Sequence, residues 1–161
     1  MNETTAPIEP LRLAFEVECA PDHAFMVWTE RIAAWWPADH TASGEPDLRV
    51  VLEGRIGGRI FERTTGGDEH DWGEVTVWEP PHRFAYLWHL RRDRGDATEV
   101  EIRFMPDGEA TRVEIEHRGW ERLGADGRTW RDRNMGGWST LLPHYIEAAG
   151  GGRTAGTEAD R

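Results

Sequence analysis

The sequence contains no lysine and no glutamine; all nineteen of its basic residues are arginine. So uniform an absence reads as coding bias, of the kind a GC-rich bacterial genome imposes, and not as a functional demand. Positive charge is scarce too. Nineteen arginines face thirty acidic residues, for a formal net charge of −11. That argues against a nucleic-acid surface and against an anionic membrane as partner. Cysteine occurs once, as Cys19, so no internal disulfide can form and a zinc site of paired cysteines is excluded. Cys19 follows an apolar strand pattern and reads as a small buried hydrophobe. No apolar run approaches the roughly 20 residues that cross a bilayer. The opening MNETTAPIEP has neither a basic n-region nor an apolar h-region, so no secretory signal is expected and the expected location is the cytoplasm. G-x-S-x-G, P-loop, H-E-x-x-H and G-x-G-x-x-G patterns are missing.

Tryptophan is what the chain has in excess: nine in 161 residues. Each can bury roughly 150–250 Å², so the indoles must dominate either the core or a binding cavity. The length suits one domain with a real core. Residues 11–149 carry the patterned body. Residues 1–10 and 150–161 are polar, glycine-rich or proline-rich, and are expected to be loose.

LRLAFEVE, residues 11–18, alternates apolar and polar positions as a half-buried strand does. Pro21 and Asp22 open a helix in which Phe25, Trp28 and Ile32 keep helical spacing. Trp35 and Trp36 follow, and Pro37 stops the run. Adjacent helical residues lie about 100° apart, so the two rings face different surroundings. Trp36 is expected in the core and Trp35 at a cavity mouth. Six more strands are expected at 48–53, 58–64, 72–79, 83–90, 98–105 and 111–118. Their short connections, rich in Gly, Pro and Asp, imply an antiparallel meander. Trp138, Leu141, Leu142, Tyr145, Ile146 and Ala149 form an apolar stripe on a long last helix, with Pro143 expected to kink or break it.

The expected fold is therefore α+β: a curved seven-stranded antiparallel sheet, two short helices after the first strand, and a long C-terminal helix covering the apolar face. His117 shares a face with Val113 and Ile115, near a strand end. Trp72 and Trp78 lie six apart on one strand with Glu74 and Thr76 between them. That spacing predicts an outer patch for a homodimer or a protein partner. His23, His40, His70, His82, His89, His117 and His144 are scattered without ligand spacing, so neither metal nor cofactor is expected. RRDRGD (91–96) and EHRGWERLG (116–124) read as solvated turns. Residues 119–134, with Trp120 and Trp130, are a candidate lid.

Five segments, in order, carry a resemblance: APDHAFMVWTERIAAWWP, GGRIFE, GEVTVWEPPHRFAYLW, TRVEIEHRGW and GGWSTLL. Over residues 11–149 the chain resembles the activator of heat-shock protein 90 ATPase homologue-like family of the START/SRPBCC superfamily. The resemblance implies a helix-grip fold with an apolar cavity between sheet and long helix. The cochaperones that give the family its name carry a further chaperone-binding domain, for which no room is expected here.

Three functions are open at this point. The first is a small-molecule binding protein for an apolar or aromatic ligand, walled by Trp35, Trp36, Phe61, Trp88, Phe104, Trp138, Leu141 and Tyr145 and anchored by His117. The second is a cyclase- or hydrolase-like enzyme with His117, His89 or Tyr86 as acid or base. The third is a cochaperone-like or regulator-binding interaction module.

Overall fold

A computed structural model describes residues 7–89 and 97–157, with the final strand described by its backbone. The chain runs β1 (Leu11–Val17), α1 (Pro21–Thr29), α2 (Ile32–Trp35), a 3-10 turn (Ala38–His40), then β2 (Arg49–Leu52), β3 (Arg59–Arg63), β4 (Glu69–Glu79) and β5 (Arg83–Trp88). It continues through β6 (Thr98–Asp107), β7 (Ala110–Arg118), a 3-10 segment (Trp120–Asp126), α3 (Gly127–Ala148) and β8 (Gly152–Thr157). The expected RRDRGD turn lies outside the described residues.

The strand order is β2-β3-β4-β5-β6-β7-β1-β8, antiparallel throughout. The seven expected strands are present as a curved sheet wrapped around the long C-terminal helix, with two short helices after strand 1. The eighth strand is a difference from the sequence reading. Gly152–Thr157 pairs with β1 because β1 would otherwise be an open edge, and backbone bonds need no apolar side chains. Residues 8–10, expected to be loose, are docked: Ile8 is buried, and Arg131 donates to the Glu9 and Pro10 carbonyls.

One face of the sheet is apolar. Leu11, Leu13, Phe15 and Val17 of β1 share it with Val100, Ile102 and Phe104 of β6 and with Val113, Ile115 and His117 of β7. The helices cover that face. Phe25 of α1 sits edge-on to Trp78, Phe84 and Phe104, at 5.1, 5.5 and 5.2 Å between ring centres. Tyr145 of α3 is fully buried and donates its hydroxyl to the Ala24 carbonyl at 2.8 Å, which ties α3 to α1. Pro143 does not break α3, which is one 22-residue helix. That helix starts at Gly127, so half of the expected lid is its first two turns.

The opposite face is a charged ladder. Glu101 is 5% exposed and accepts from Arg83, Arg103 and Arg118. Arg118 also reaches Glu99 and Glu116. Burial opposes the ionisation of Glu101, but the three guanidinium groups outweigh it and hold the carboxyl at about 2.

Two irregularities in β4 overturn the expected outer Trp72/Trp78 patch. Opposite β3, Ile60 pairs with Gly73 and Phe61 with Asp71, so Trp72 is an extra residue. Opposite β5, Val75 pairs with Tyr86 and Val77 with Ala85, so Thr76 is another. Both indoles turn to the inner face: Trp72 is fully buried, and Trp78 packs on Phe25 and Phe84. Strict alternation assigns the wrong face once bulges intervene.

Candidate functional site

The inner face is solidly packed beneath α1 and the second half of α3. Beneath the first half of α3 it is not. There an open cleft of about 410 Å³ is lined by Trp36, Tyr86, Trp88, Trp130, Trp138 and Leu141. Asp39, His40, Arg133, Asn134 and Gly137 complete it. A much smaller void of about 10 Å³ lies behind Trp36, Tyr86 and Trp88.

Each wall has a local cause. Trp36 caps α2 in an extended conformation just before Pro37, which swings its ring away from the helix. Its indole N–H donates to the His40 carbonyl at 3.0 Å, and the ring packs on Trp72 and Trp88 at 5.2 and 6.0 Å. Tyr86 and Trp88 alternate inward on β5 with Phe84. Burial drives the Tyr86 hydroxyl well above its usual range, so it stays protonated. Trp138 and Leu141 occupy one face of α3 at helical spacing, with Trp130, Arg133, Asn134 and Gly137 on the preceding turns.

His117 lies behind Trp138 and is fully buried. The Trp138 indole N–H donates to its Nδ1 at 3.1 Å. An indole nitrogen can only donate, so Nδ1 is the acceptor and the ring proton sits on Nε2. Nε2 in turn is 2.7 Å from the Thr98 hydroxyl. The ring packs on Trp120, whose N–H donates to the His117 carbonyl. His117 therefore joins β7, β6 and α3, and it stands behind the cleft wall that Trp138 forms.

Of the residues expected at the site, the structure brings Trp36, Tyr86, Trp88, Trp138 and Leu141 to the cleft. Trp35 and Trp36 have exchanged the expected places. Trp35 is 5% exposed, donates to the Val27 carbonyl and packs on Trp28 and Tyr145. Phe104 and Tyr145 belong to the filled core beneath α1. Phe61 faces the other side of the sheet, covered by the Arg59 guanidinium at 4.0 Å from its ring centre. His89 is buried outside the cleft.

The sequence reading did not find Asp39, His40, Arg133 or Asn134. His40 bridges the two sides of the mouth: Nδ1 lies 2.9 Å from Asp39 Oδ1 and Nε2 lies 2.8 Å from the Thr140 hydroxyl on α3. The hydrogen bond from His40 holds the Asp39 carboxyl below its usual range. These residues sit on a short 3-10 turn and on polar helix positions, where no periodicity marks them. Glu62 anchors the loop that follows. It is fully buried and accepts from the Ala42 and Ser43 amides and the Trp72 indole. Among the described residues, no group of three or more His, Cys, Asp or Glu converges to hold a metal.

The family model described as Activator of Hsp90 ATPase homolog 1-like protein matches residues 18–150. The chain belongs to that family. Several solved structures share the fold of this Hsp90-activator-like chain. The self-sacrificing resistance protein CalC from Micromonospora echinospora is 28% identical, with a TM-score of 0.66 over 88% of this chain and 94% of that one. The anthrahydroquino-γ-pyrone synthase Txn09 is 29% identical, with a TM-score of 0.58 over 88% and 97%. Protein NE0264 from Nitrosomonas europaea, at 15% identity and a TM-score of 0.63 over 89% and 97%, shows the fold alone. No curated protein matches in sequence. The helix-grip fold of this chain is thus shared with a resistance protein and with an anthrahydroquino-γ-pyrone synthase. Among the described residues, no helix is long and apolar enough to cross a membrane.

Proposed function

We propose that this protein binds a small, flat, largely apolar aromatic molecule in the cleft between the β5 end of the sheet and the first half of α3. The observation that carries the reading is the wall itself: four indoles and a phenol around about 410 Å³ of open space. Ligand pockets run from roughly 300 to 1,000 Å³, with mostly apolar walls and a few polar groups. Ring faces favour planar aromatic partners through offset stacking. The names of the two relatives near 30% identity, a resistance protein and a pyrone synthase, support a small-molecule role. The cytoplasm is the proposed location.

Titrating the protein with planar aromatic probes while following tryptophan emission tests the reading. Saturable quenching that is lost in Trp36→Ala and Trp138→Ala is the expected result. Unsaturable quenching with every probe would defeat it.

A second reading, acid-base catalysis on such a ligand, is favoured by one observation. The His40 imidazole faces the cleft with Asp39 beside it and Thr140 across the mouth. Of the groups first expected to serve, Tyr86 is held protonated by burial and His117 is committed at both ring nitrogens. Turnover that vanishes in His40→Ala would establish this reading. A protein-interaction role finds no support in the sheet's outer face, because the expected indole patch is turned inward.

A further inference from the structure

We infer that the cleft selects aromatic molecules bearing an acidic group, and that Arg133 is the counter-ion; this rests on the small-molecule reading above.

Arg133 projects from the second turn of α3 into the lining of the cleft. Its guanidinium lies over the Trp130 ring, 5.2 Å from the ring centre. A cation–π contact of this kind does not consume the N–H donors of the guanidinium in hydrogen bonds. No described residue engages those donors through a hydrogen bond or an ion pair. The contrast lies within this chain: Arg59, Arg63, Arg83, Arg103, Arg112 and Arg118 are each spent on carboxylates. Arg133 is thus a cation held at one edge of an aromatic cavity with its hydrogen-bonding capacity unused. A guanidinium in that state matches a carboxylate or an ionised phenol, whose oxygens it can meet two at a time.

The opposite side of the mouth fixes the orientation. Asp39 Oδ1 is engaged by His40, and the Asp39 side chain is 83% exposed. Its charge is solvated and partly matched, so it draws a ligand cation weakly. It does repel an acidic group placed on the Trp36 side. The acid therefore lies toward α3, against Arg133, with the ring system between the indoles. Asn134 adds an acceptor at the same edge. Its amide nitrogen is committed to the Trp130 carbonyl at 2.8 Å, which leaves its oxygen for a ligand hydroxyl.

Calorimetric titration with three matched probes tests this: anthracene-2-carboxylate, 2-(hydroxymethyl)anthracene and 2-(aminomethyl)anthracene. The carboxylate should bind at least about fivefold tighter than the alcohol at low salt. In Arg133→Gln that advantage should shrink to less than about twofold, and 0.5 M salt should shrink it in the wild type. Arg133 is exposed, so the variant should fold, and its melting temperature checks that. Equal binding of all three probes, or tightest binding of the ammonium, overturns the inference and leaves the small-molecule reading standing. An advantage that survives Arg133→Gln also overturns it. Failure of all three to bind overturns both.

Discussion

Trp138 and His117 are joined by a hydrogen bond of 3.1 Å from the indole nitrogen to Nδ1, made in the buried space they share. The bond fixes the tautomer of the histidine and the angle of an indole that walls the cleft.

Replacing His117 by Phe removes the acceptor of the Trp138 N–H and leaves the Thr98 hydroxyl with only its longer bond to the Trp88 carbonyl, at 3.4 Å. A loss of about 2–4 kcal/mol in unfolding free energy is expected. Urea denaturation measures it. Affinity for cleft probes should fall as well, because Trp138 is no longer held; a variant that loses stability but binds as before would separate the clamp from the site.

The two neighbouring tryptophans should respond in opposite ways. Trp35→Ala empties a site in the filled core and should cost about 3–5 kcal/mol. Trp36→Ala removes a half-buried ring at the cleft and should cost less than half as much, while weakening probe binding about tenfold. Thermal melts and titrations on the same two proteins decide the matter.

Acid should weaken the protein through Glu101. Its carboxyl ionises at about 2 in the folded chain, against the ordinary 4.5. A carboxyl so depressed stabilises the fold fully above pH 4.5, and the contribution is lost as pH falls from there toward 2. Glu62, depressed by the Ala42 and Ser43 amides and the Trp72 indole against the cost of its burial, adds to the same slope. Glu101→Gln should cost about 1–2 kcal/mol at neutral pH, a figure reduced for the partial exposure of its arginines. It should also flatten the decline below pH 4.5. Stability measured from pH 7 to 2 in both proteins tests this.

Gly73 pairs with Ile60 on one side and Trp88 on the other. A Cβ there would collide with the Leu87 carbonyl, which is part of the ladder and cannot move aside. Gly73→Ala should therefore cost about 2–4 kcal/mol and disturb the Trp88 wall. Loss of probe binding in protein that still folds at low temperature is the expected signature; an unchanged melting temperature would contradict the close approach.

Much of this architecture is legible in the amino-acid sequence alone. Alternation along β6 and β7 assigns Val100, Ile102, Val113 and Ile115 to one face, and the stripe from Trp138 to Ala149 finds the helix that covers them. Period and turn chemistry suffice for that. The site was readable in part, because Trp88, Trp138 and Leu141 follow from the same periodicities. The failures have separate physical causes. Residues 35 and 36 differ by one step of a helix that ends between them, and only the extended backbone at Trp36 decides which ring leaves the core. Two extra residues in β4 turn Trp72 and Trp78 inward. Phe61 is covered by guanidinium instead of hydrocarbon, so it is buried without belonging to the core. Arg133 looks like any solvated helix position until the indole beneath it is seen.

Trp28, Trp35, Trp36, Trp72 and Trp88 form an unbroken series, with successive ring centres 5.3, 5.5, 5.2 and 5.8 Å apart. At such spacings electronic excitation hops between chromophores faster than it is emitted. Light absorbed by Trp28, sealed in the interior, can thus reach Trp36 and Trp88 at the surface of the hollow. A guest touching only those last two rings would darken the whole series, which makes the protein's own ultraviolet glow a readout of occupancy.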